Sequence, residues 1–295
     1  MPFSRNKLRD LLASGLLSLA ILAVLLMAWH VATLPAPEPA SVATGSGNVT
    51  GNNASDEYAR LMGQGAKKTD GFPSPAQVGQ TIVAQLSDPF YDRGPNDKGI
   101  GIQMAHSLGR VGIGFVLALL TALPLGFLIG MSPLWQRAFN PFIQILKPIS
   151  PLAWMPLALY TIKDSSISGI FVIFICSVWP MLINTAYGVG AVRREWLNVA
   201  RTLEVSPLRK AFLVILPAAA PTILTGMRIS IGIAWLVIVA AEMLVGGTGI
   251  GYFVWNEWNN LSLTSVLFAI LMIGVVGMLL DFAFASLQRI VTYVE

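Results

Sequence analysis

The sequence is poor in the side chains that build metal and disulfide sites. It has one cysteine, Cys176, and two histidines, His30 and His106, which lie far apart. One cysteine cannot form a disulfide within a single chain. Structural and catalytic zinc sites draw their ligands mainly from clustered cysteine and histidine, so we expect no metal site. An intramembrane enzyme would need such a metal or a nucleophile with nearby partners, and the sequence offers neither at a suitable spacing.

Charged residues are also scarce. They make up 12% of the chain, against about 25% in soluble domains, while hydrophobic residues reach 55% and the mean hydropathy is +0.67. This composition predicts an all-α polytopic membrane protein. The formal net charge of +4 does not indicate a nucleic-acid partner, because the basic residues lie at the ends of apolar runs, as membrane topology requires.

Nucleotide-binding motifs are missing as well. No segment matches the phosphate-loop pattern G-x-x-x-x-G-K-[ST], and the glycine-rich stretch Gly246–Gly251 lacks the G-x-G-x-x-G spacing. We interpret that stretch as an outer turn in which backbones approach closely. The chain is therefore not expected to bind a cofactor or to hydrolyse ATP itself.

What the sequence does contain is six apolar runs, each close to the ~20 residues that cross a bilayer. They cover approximately residues 11–34, 107–131, 141–162, 167–189, 223–245 and 266–287. Pro148, Pro151 and Pro156 are expected to break the third run. The first could instead be a cleaved signal peptide, but its length and the lack of a small-x-small site favour a retained anchor.

Between the first two runs lies a segment of different composition. Residues 35–75 are rich in Pro, Ala, Gly, Ser and Asn, as in a linker. From Pro73 to Leu86, apolar residues recur at helical spacing, which predicts a short amphipathic helix on the membrane surface. The expected organisation is an anchor over residues 1–34, an external linker and interfacial helix over 35–105, and a five-helix core over 106–295.

Basic residues indicate the orientation of these runs. They cluster before the first run, between the second and third, between the fourth and fifth, and after the sixth. All four positions fall on one side of the membrane, so both termini are expected in the cytoplasm.

One of these cytoplasmic segments is long and amphipathic. From Asn198 it carries Arg201 and Glu204, breaks at Ser206-Pro207, resumes with Arg209 and Lys210, and meets Leu216-Pro217. The pattern predicts a helix, a turn, a second short helix and a proline stop. We call residues 195–217 the coupling hairpin.

The coupling hairpin resembles the EAA loop of ABC-importer permeases, which reads Glu-Ala-Ala, three residues, Gly, nine residues and Ile-x-Leu-Pro. The residues that match are Ala200, Val214, Leu216 and Pro217, and those that depart are Asn198, Val199 and Glu204. A glycine at position 204 would suit a turn with positive φ, which costs another residue about 1 kcal/mol. Either the turn is built differently here or Glu204 makes a compensating contact.

Four further blocks are similar to the nitrate/sulfonate/taurine/bicarbonate branch of these permeases. They are HSLGRVGIGF from His106, ALPLGFLIGMS from Ala122, LKPISPLAWMPLALY from Leu146 and IAWLVIVAAEML from Ile233. The outer segment from Gly249 to Val266 and the tail IGVVGMLLD are most like the nitrate and bicarbonate permeases of cyanobacteria.

The resemblance implies a type I importer fold of six transmembrane helices and an alternating-access mechanism. It implies a second permease copy, two cytoplasmic ABC ATPases that carry ATP and Mg²⁺, and an external solute-binding protein, in a bacterial, cyanobacterial inner membrane. The expected solute is nitrate, with nitrite in addition; bicarbonate, cyanate and sulfonate or taurine follow. The residues expected to contact the ATPases are Asn198, Ala200, Arg201, Glu204, Ser206, Pro207, Arg209, Leu216 and Pro217.

Polar residues within the apolar runs are candidates for the solute path or its gate. Lys147 could attract an anion, or its side chain could extend to the inner interface. Glu242, and similarly Asp281, is expected to pair with a backbone amide or a neighbouring span. Asn184 and Thr185 favour helix–helix hydrogen bonds first and solute contact second.

A standalone secondary transporter or channel is the rival from another class. It would favour inverted repeats and paired ionisable residues at mid-span, and no convincing internal repeat is present.

Overall fold

The computed structural model describes residues 5–33, 72–94 and 97–291, and these residues are almost entirely helical. Most of the predicted linker, residues 34–71, lies outside the described residues. The chain divides into two compact units, Met1–Val83 and Ala84–Glu295.

The first unit contains helix α1, Arg5–Ala32, and the beginning of helix α2, Pro75–Ser87. Trp29 Nε1 donates a hydrogen bond to the Pro73 carbonyl at 3.0 Å. Ser74 and Gln77 bond reciprocally through side chain and backbone at the start of α2, which is a capping box. The predicted helix is present, and its place on the membrane surface stays a prediction.

The second unit contains nine further helices among the described residues. They are α3 (Ile100–Met131), α4 (Pro133–Leu146), α5 (Trp154–Ile162), α6 (Ser165–Gly190), α7 (Arg194–Thr202), α8 (Pro207–Lys210), α9 (Leu216–Val245), α10 (Ile250–Asn259) and α11 (Leu263–Val291). A 3₁₀ turn, Pro151–Ala153, precedes α5, and a π-helical turn, Ala211–Ile215, precedes α9.

Five helical stretches in the described part are long and apolar enough to cross a membrane. A sixth span results if α4 and the Pro151–Ile162 segment, bent by 78°, count as one. The break follows α4 around Pro148 and Pro151, as expected. Pro156 does not break the chain as predicted, because it lies in the first turn of α5, where backbone N–H groups have no intrahelical partner.

Helix α6 occupies the centre of this unit, between α3 and α9. Glycines on α3 allow the close approach: a Cβ on Gly126 would lie 2.6 Å from the Thr185 Cβ, and one on Gly130 would lie 2.7 Å from the Val189 Cβ. Small residues at a crossing let helices pack in a membrane without an apolar driving force between them. These close crossings hold the ends of α3, α6 and α9 in fixed positions relative to one another.

Candidate functional site

The coupling hairpin begins with α7 and turns at Glu204. The Val205 N–H donates to the Ala200 carbonyl, and the Glu204 N–H donates to the Arg201 carbonyl, both at 3.0 Å. This pair of bonds is a Schellman motif, which ordinarily has glycine at the left-handed position. Glu204 adopts φ 50° there. The turn is therefore the one a glycine would make, and its exposed glutamate bears a strain of about 1 kcal/mol.

The predicted proline stop at Leu216-Pro217 is wrong. The helical path runs without interruption from Pro207 to Val245. The Leu216 N–H donates to the Ala211 carbonyl, which is the wider i→i−5 spacing of a π turn. Pro217 directly follows the π turn, and the wider spacing of that turn accommodates a residue that cannot donate a backbone N–H. The second arm of the hairpin is consequently the beginning of the span.

An apolar cluster ties the hairpin to the membrane-spanning helices. Its buried members are Val189, Val192, Ile215, Ala219 and Ile223. Leu197 of α7 and Phe127 of α3 pack against it, and Ala200 is buried nearby in sequence. The hairpin is therefore held against α3, α6 and α9 through this cluster.

The other face of the hairpin is exposed and largely apolar. Its large exposed side chains are Trp196, Val199, Leu203, Leu208, Phe212 and Leu213. Most of the residues predicted to contact the ATPases are also exposed, and Leu216 is half-buried. The exposed ones are Asn198, Arg201, Glu204, Ser206, Pro207, Arg209 and Pro217. An exposed apolar patch of this extent marks an interaction surface.

Glu242 lies at the opposite end of the bundle, with 4% of its surface exposed. Its carboxylate accepts hydrogen bonds from Ser107 Oγ at 2.8 and 2.9 Å, from an Arg110 terminal nitrogen at 2.7 Å and from the Gly251 N–H at 3.0 Å. The side chain thus joins α9 to α3 and to the start of α10.

The polar contacts around Glu242 continue outward. Arg110 also donates to Ser166 Oγ on α6 at 2.9 Å and to the Thr248 carbonyl at 2.6 Å. Gln103 Oε1 accepts from the Gly249 N–H, and Ser107 Oγ accepts from the Ile250 N–H. We call Gln103, Ser107, Arg110, Ser166 and Glu242 the Glu242 network. It caps the N-terminus of α10, where a carboxylate is also favoured electrostatically.

Glycines bring the α10 N-terminus this close to Glu242. A Cβ on Gly249 would overlap the Glu242 carboxylate, and one on Gly251 would overlap the Val239 carbonyl. Gly246 and Gly247 adopt φ 77° and 95°. The close backbone approach expected of this stretch is present. The sequence predicted only the turn, and the helix α10 that follows it was not predicted.

A second ion pair joins α9 to α11. Arg228 Nε and one terminal nitrogen donate to the two Asp281 carboxylate oxygens, both at 2.6 Å. The side chains remain 39% and 55% exposed. Sequence reasoning singled out Asp281 and missed Arg228. The signal that could have found it is the pair of opposite charges in two apolar runs.

Lys147 directly follows α4 and is exposed. It lines a cavity of about 580 Å³ together with Gln136, Asn140 and Gln144 of α4 and with the end of α6. Lys147 thus stands among neutral amide side chains.

The predicted helix–helix hydrogen bonds of Asn184 and Thr185 are absent from the described part of the chain. Asn184 Nδ2 donates to the Pro180 carbonyl of its own helix at 2.8 Å. The Thr185 hydroxyl has no hydrogen-bond partner among the described residues. Asn184 faces Gly226 and Thr185 faces Gly126, so both side chains fill the space beside a glycine of a neighbouring helix.

Among the described residues, no group of three or more His, Cys, Asp and Glu side chains could hold a metal ion. The features on which function depends are therefore a helical bundle with a closed polar network at one end and an exposed hairpin at the other. Together they describe a helical membrane protein whose polar network and exposed hairpin lie at opposite ends of one bundle.

Comparison with known proteins gives the family. Residues 122–293 match the family of binding-protein-dependent transport system inner membrane components. The nitrate import permease protein NrtB of Synechocystis is 44% identical over 224 residues, covering 76% of this chain and 82% of that protein. The bicarbonate transport permease CmpB of the same organism is 44% identical over 207 residues, covering 70% and 74%. The chain belongs to this family of ABC-importer permeases.

Solved structures agree on the fold. The MetNI methionine ABC transporter in an inward-facing conformation matches with a TM-score of 0.57 at 16% identity, covering 64% of this chain and 94% of that one. The architecture is that of a type I ABC-importer permease.

Proposed function

We propose that this chain is the permease subunit of an ATP-driven importer for nitrate, and also nitrite, and that it forms the translocation path by alternating access. The observation that carries the proposal is the 44% identity to a nitrate import permease over 76% of the chain. Bicarbonate is the second candidate, because a bicarbonate permease is equally similar over a slightly shorter stretch. Cyanate and sulfonate or taurine follow as weaker alternatives.

The coupling hairpin is the proposed docking surface for two cytoplasmic ATPase subunits, which would carry ATP and Mg²⁺. Its exposed apolar side chains and its arginines suit a groove on a soluble protein. The cluster around Ile215 would pass a movement of the hairpin to α6 and α9, because packed side chains leave little room for independent motion.

The remaining assembly follows from the family. A second copy of this chain would complete the path, and an external binding protein would deliver the solute. We place the protein in the inner membrane of a bacterium, and its similarity to cyanobacterial permeases favours a cyanobacterial source. The distribution of basic residues favours an orientation with both termini in the cytoplasm. Lys147 would lie along the path, and Glu242 would hold its outer gate, whereas Asn184 and Thr185 would pack the helices that surround it.

Uptake measurements test the solute and the class together. The chain would be produced with its ATPases and binding protein in cells that lack their own nitrate import, and labelled nitrate, bicarbonate and taurine would be supplied. We expect ATPase-dependent nitrate uptake. ATPase-dependent uptake of bicarbonate alone would correct the solute, and uptake without the ATPases would support a secondary transporter instead.

A single exposed side chain tests the docking surface. Leu208→Glu on the hairpin should abolish co-purification of the ATPases and uptake, while the protein stays in the membrane. Leu261→Glu, at the opposite end, is a matched control because Leu208 and Leu261 are 74% and 73% exposed. It should leave ATPase binding unchanged. Normal ATPase binding by the Leu208 variant would contradict the proposed role.

A further inference from the structure

The Arg228–Asp281 pair lies within two spans, five residues from one end of the apolar run 223–245 and six from one end of the run 266–287, or about 8 and 9 Å along the helix. Arg228 is 17 residues from Val245 and 12 from Leu216, or about 26 and 18 Å along the helix. Asp281 is 18 residues from Leu263 and 10 from Val291, or about 27 and 15 Å. Both side chains are nevertheless partly exposed.

Charged side chains inside a membrane face a protein interior or a water-filled cavity rather than lipid. The neighbouring surface is open, since nothing lies within 4 Å of a Cβ placed on Gly232, one turn further along α9. Gly232 and Arg228 are four residues apart and so share a helix face. The pair therefore lies on a surface that this single chain leaves uncovered, beside exposed apolar side chains such as Leu236 and Phe282.

The guanidinium of Arg228 uses only some of its N–H donors. Asp281 takes Nε and one terminal nitrogen, which leaves three of its five N–H donors without a partner among the described residues. Asp281 also fixes the plane of the group through two parallel bonds. The free N–H donors form a rigid, planar fork, the arrangement that binds two oxygens of a planar anion at once.

We propose that Arg228, oriented by Asp281, contacts the anion in the translocation path. The proposal rests on the proposed function, and it names the ligand class as a planar oxyanion such as nitrate or bicarbonate. Asp281 would compensate the arginine charge, so the anion would be held mainly by hydrogen bonds from the remaining N–H donors. Conduction requires a site that is favourable enough to enter and weak enough to leave, and binding without a large net charge suits the second condition.

Chemical restoration of the charge tests this proposal. The intact complex would carry Arg228→Cys together with Cys176→Ala, which removes the single, buried native cysteine. We expect uptake to fall roughly tenfold to a hundredfold, the factor that a charge-assisted hydrogen bond of ordinary strength contributes. Aminoethyl methanethiosulfonate, which adds a positive charge, should react and restore uptake several-fold. The sulfonatoethyl reagent, which adds a negative charge, should not.

Two outcomes would overturn the proposal. One is failure of the Arg228→Cys variant to react with either water-soluble reagent in the folded complex, which would place position 228 away from the water-filled path. The other is equal uptake after either reagent. Labelling is measured by mass and does not depend on which anion is transported. If the parent complex does not take up nitrate, the proposed solute is wrong. If position 228 does not react, the proposed arginine contact is wrong, and the two failures are thus distinguishable.

A charge exchange separates anion contact from structural pairing. Arg228→Asp with Asp281→Arg retains an ion pair between α9 and α11, and its membrane abundance should match that of the parent. Under the proposal uptake stays low, because the arginine now projects from the other helix. Full recovery of uptake would show that the pair only holds the helices together. Arg228→Lys should retain part of the uptake, since lysine keeps the charge but loses the planar fork.

Discussion

The Glu242 end and the hairpin end of the bundle differ in the contacts that hold each of them together. At the Glu242 end, a carboxylate, a guanidinium, two hydroxyls and the first amides of α10 bond to one another. At the hairpin end the buried contacts are apolar, in the cluster around Ile215, and large side chains such as Leu208 are exposed. Exposed apolar side chains and left-handed residues occur at both ends, since Leu261 at the Glu242 end is 73% exposed and adopts φ 58°. The two ends therefore differ in the chemistry of their buried contacts.

This difference predicts which substitutions should lower the stability of the fold and which should weaken partner binding. A buried polar network is stable only when every member has a partner, so substitutions at the Glu242 end should destabilise the fold. Exposed groups contribute little to the folded chain. Substitutions at the hairpin end should therefore affect partner binding more than stability.

The largest effect should come from Glu242→Ala. It leaves Arg110 buried without its counter-charge, and removal of one partner from a buried pair costs about 3–5 kcal/mol. Thermal unfolding of the purified protein in detergent measures the loss. Glu195→Ala, on the exposed face of α7, is the control, and a loss no larger than the control's would contradict the importance of the network.

A smaller loss is expected from Gly251→Ala. Its Cβ would overlap the Val239 carbonyl, and the backbone shift that relieves such overpacking costs about 1–3 kcal/mol. Gly274→Ala is the control, because its Cβ would meet nothing within 4 Å and alanine favours the helix by up to about 1 kcal/mol. Equal unfolding temperatures for the two variants would refute the close packing at α10.

Glu204→Gly should stabilise the hairpin slightly. Glycine adopts φ 50° without the Cβ penalty, and the gain should be about 0.5–1 kcal/mol after the greater freedom of glycine in the unfolded chain is counted. Glu204→Ala keeps a Cβ and should show no such gain. Hydrogen exchange of the Val205 amide measures the local change, and faster exchange in the glycine variant would contradict the expectation.

The smallest change in stability should follow Arg228→Ala. The pair is partly exposed, and exposed ion pairs contribute little to folding. The unfolding temperature in detergent should thus stay near that of the parent, while uptake falls. A loss as large as that of Glu242→Ala would show that the two ion pairs serve the same structural purpose.

The sequence predicted the spans and the hairpin turn because both depend on local patterns. Long apolar runs identify membrane-crossing helices, and the matched EAA positions indicate a turn near Glu204, although the sequence left open whether that turn is the one a glycine would make. The prediction for Pro217 was wrong, because a proline can end a helix or lie near the start of one. The π turn before Pro217 decides between these outcomes, and amino-acid composition does not reveal it. The contacts of Glu242 with Ser107 and Arg110 join residues more than 130 positions apart, so no local pattern could reveal them.

The unbroken helical path from Pro207 to Val245 has a mechanical consequence. Its 39 residues extend about 58 Å at 1.5 Å per residue, and Glu242 lies three residues before its end. Within this path lie the π turn Ala211–Ile215 and Pro221, which are common points of bending in a helix. A displacement of the hairpin at Leu208 would therefore reach Glu242 and the α10 N-terminus through a continuous helix that can bend at these points, with no loop between them.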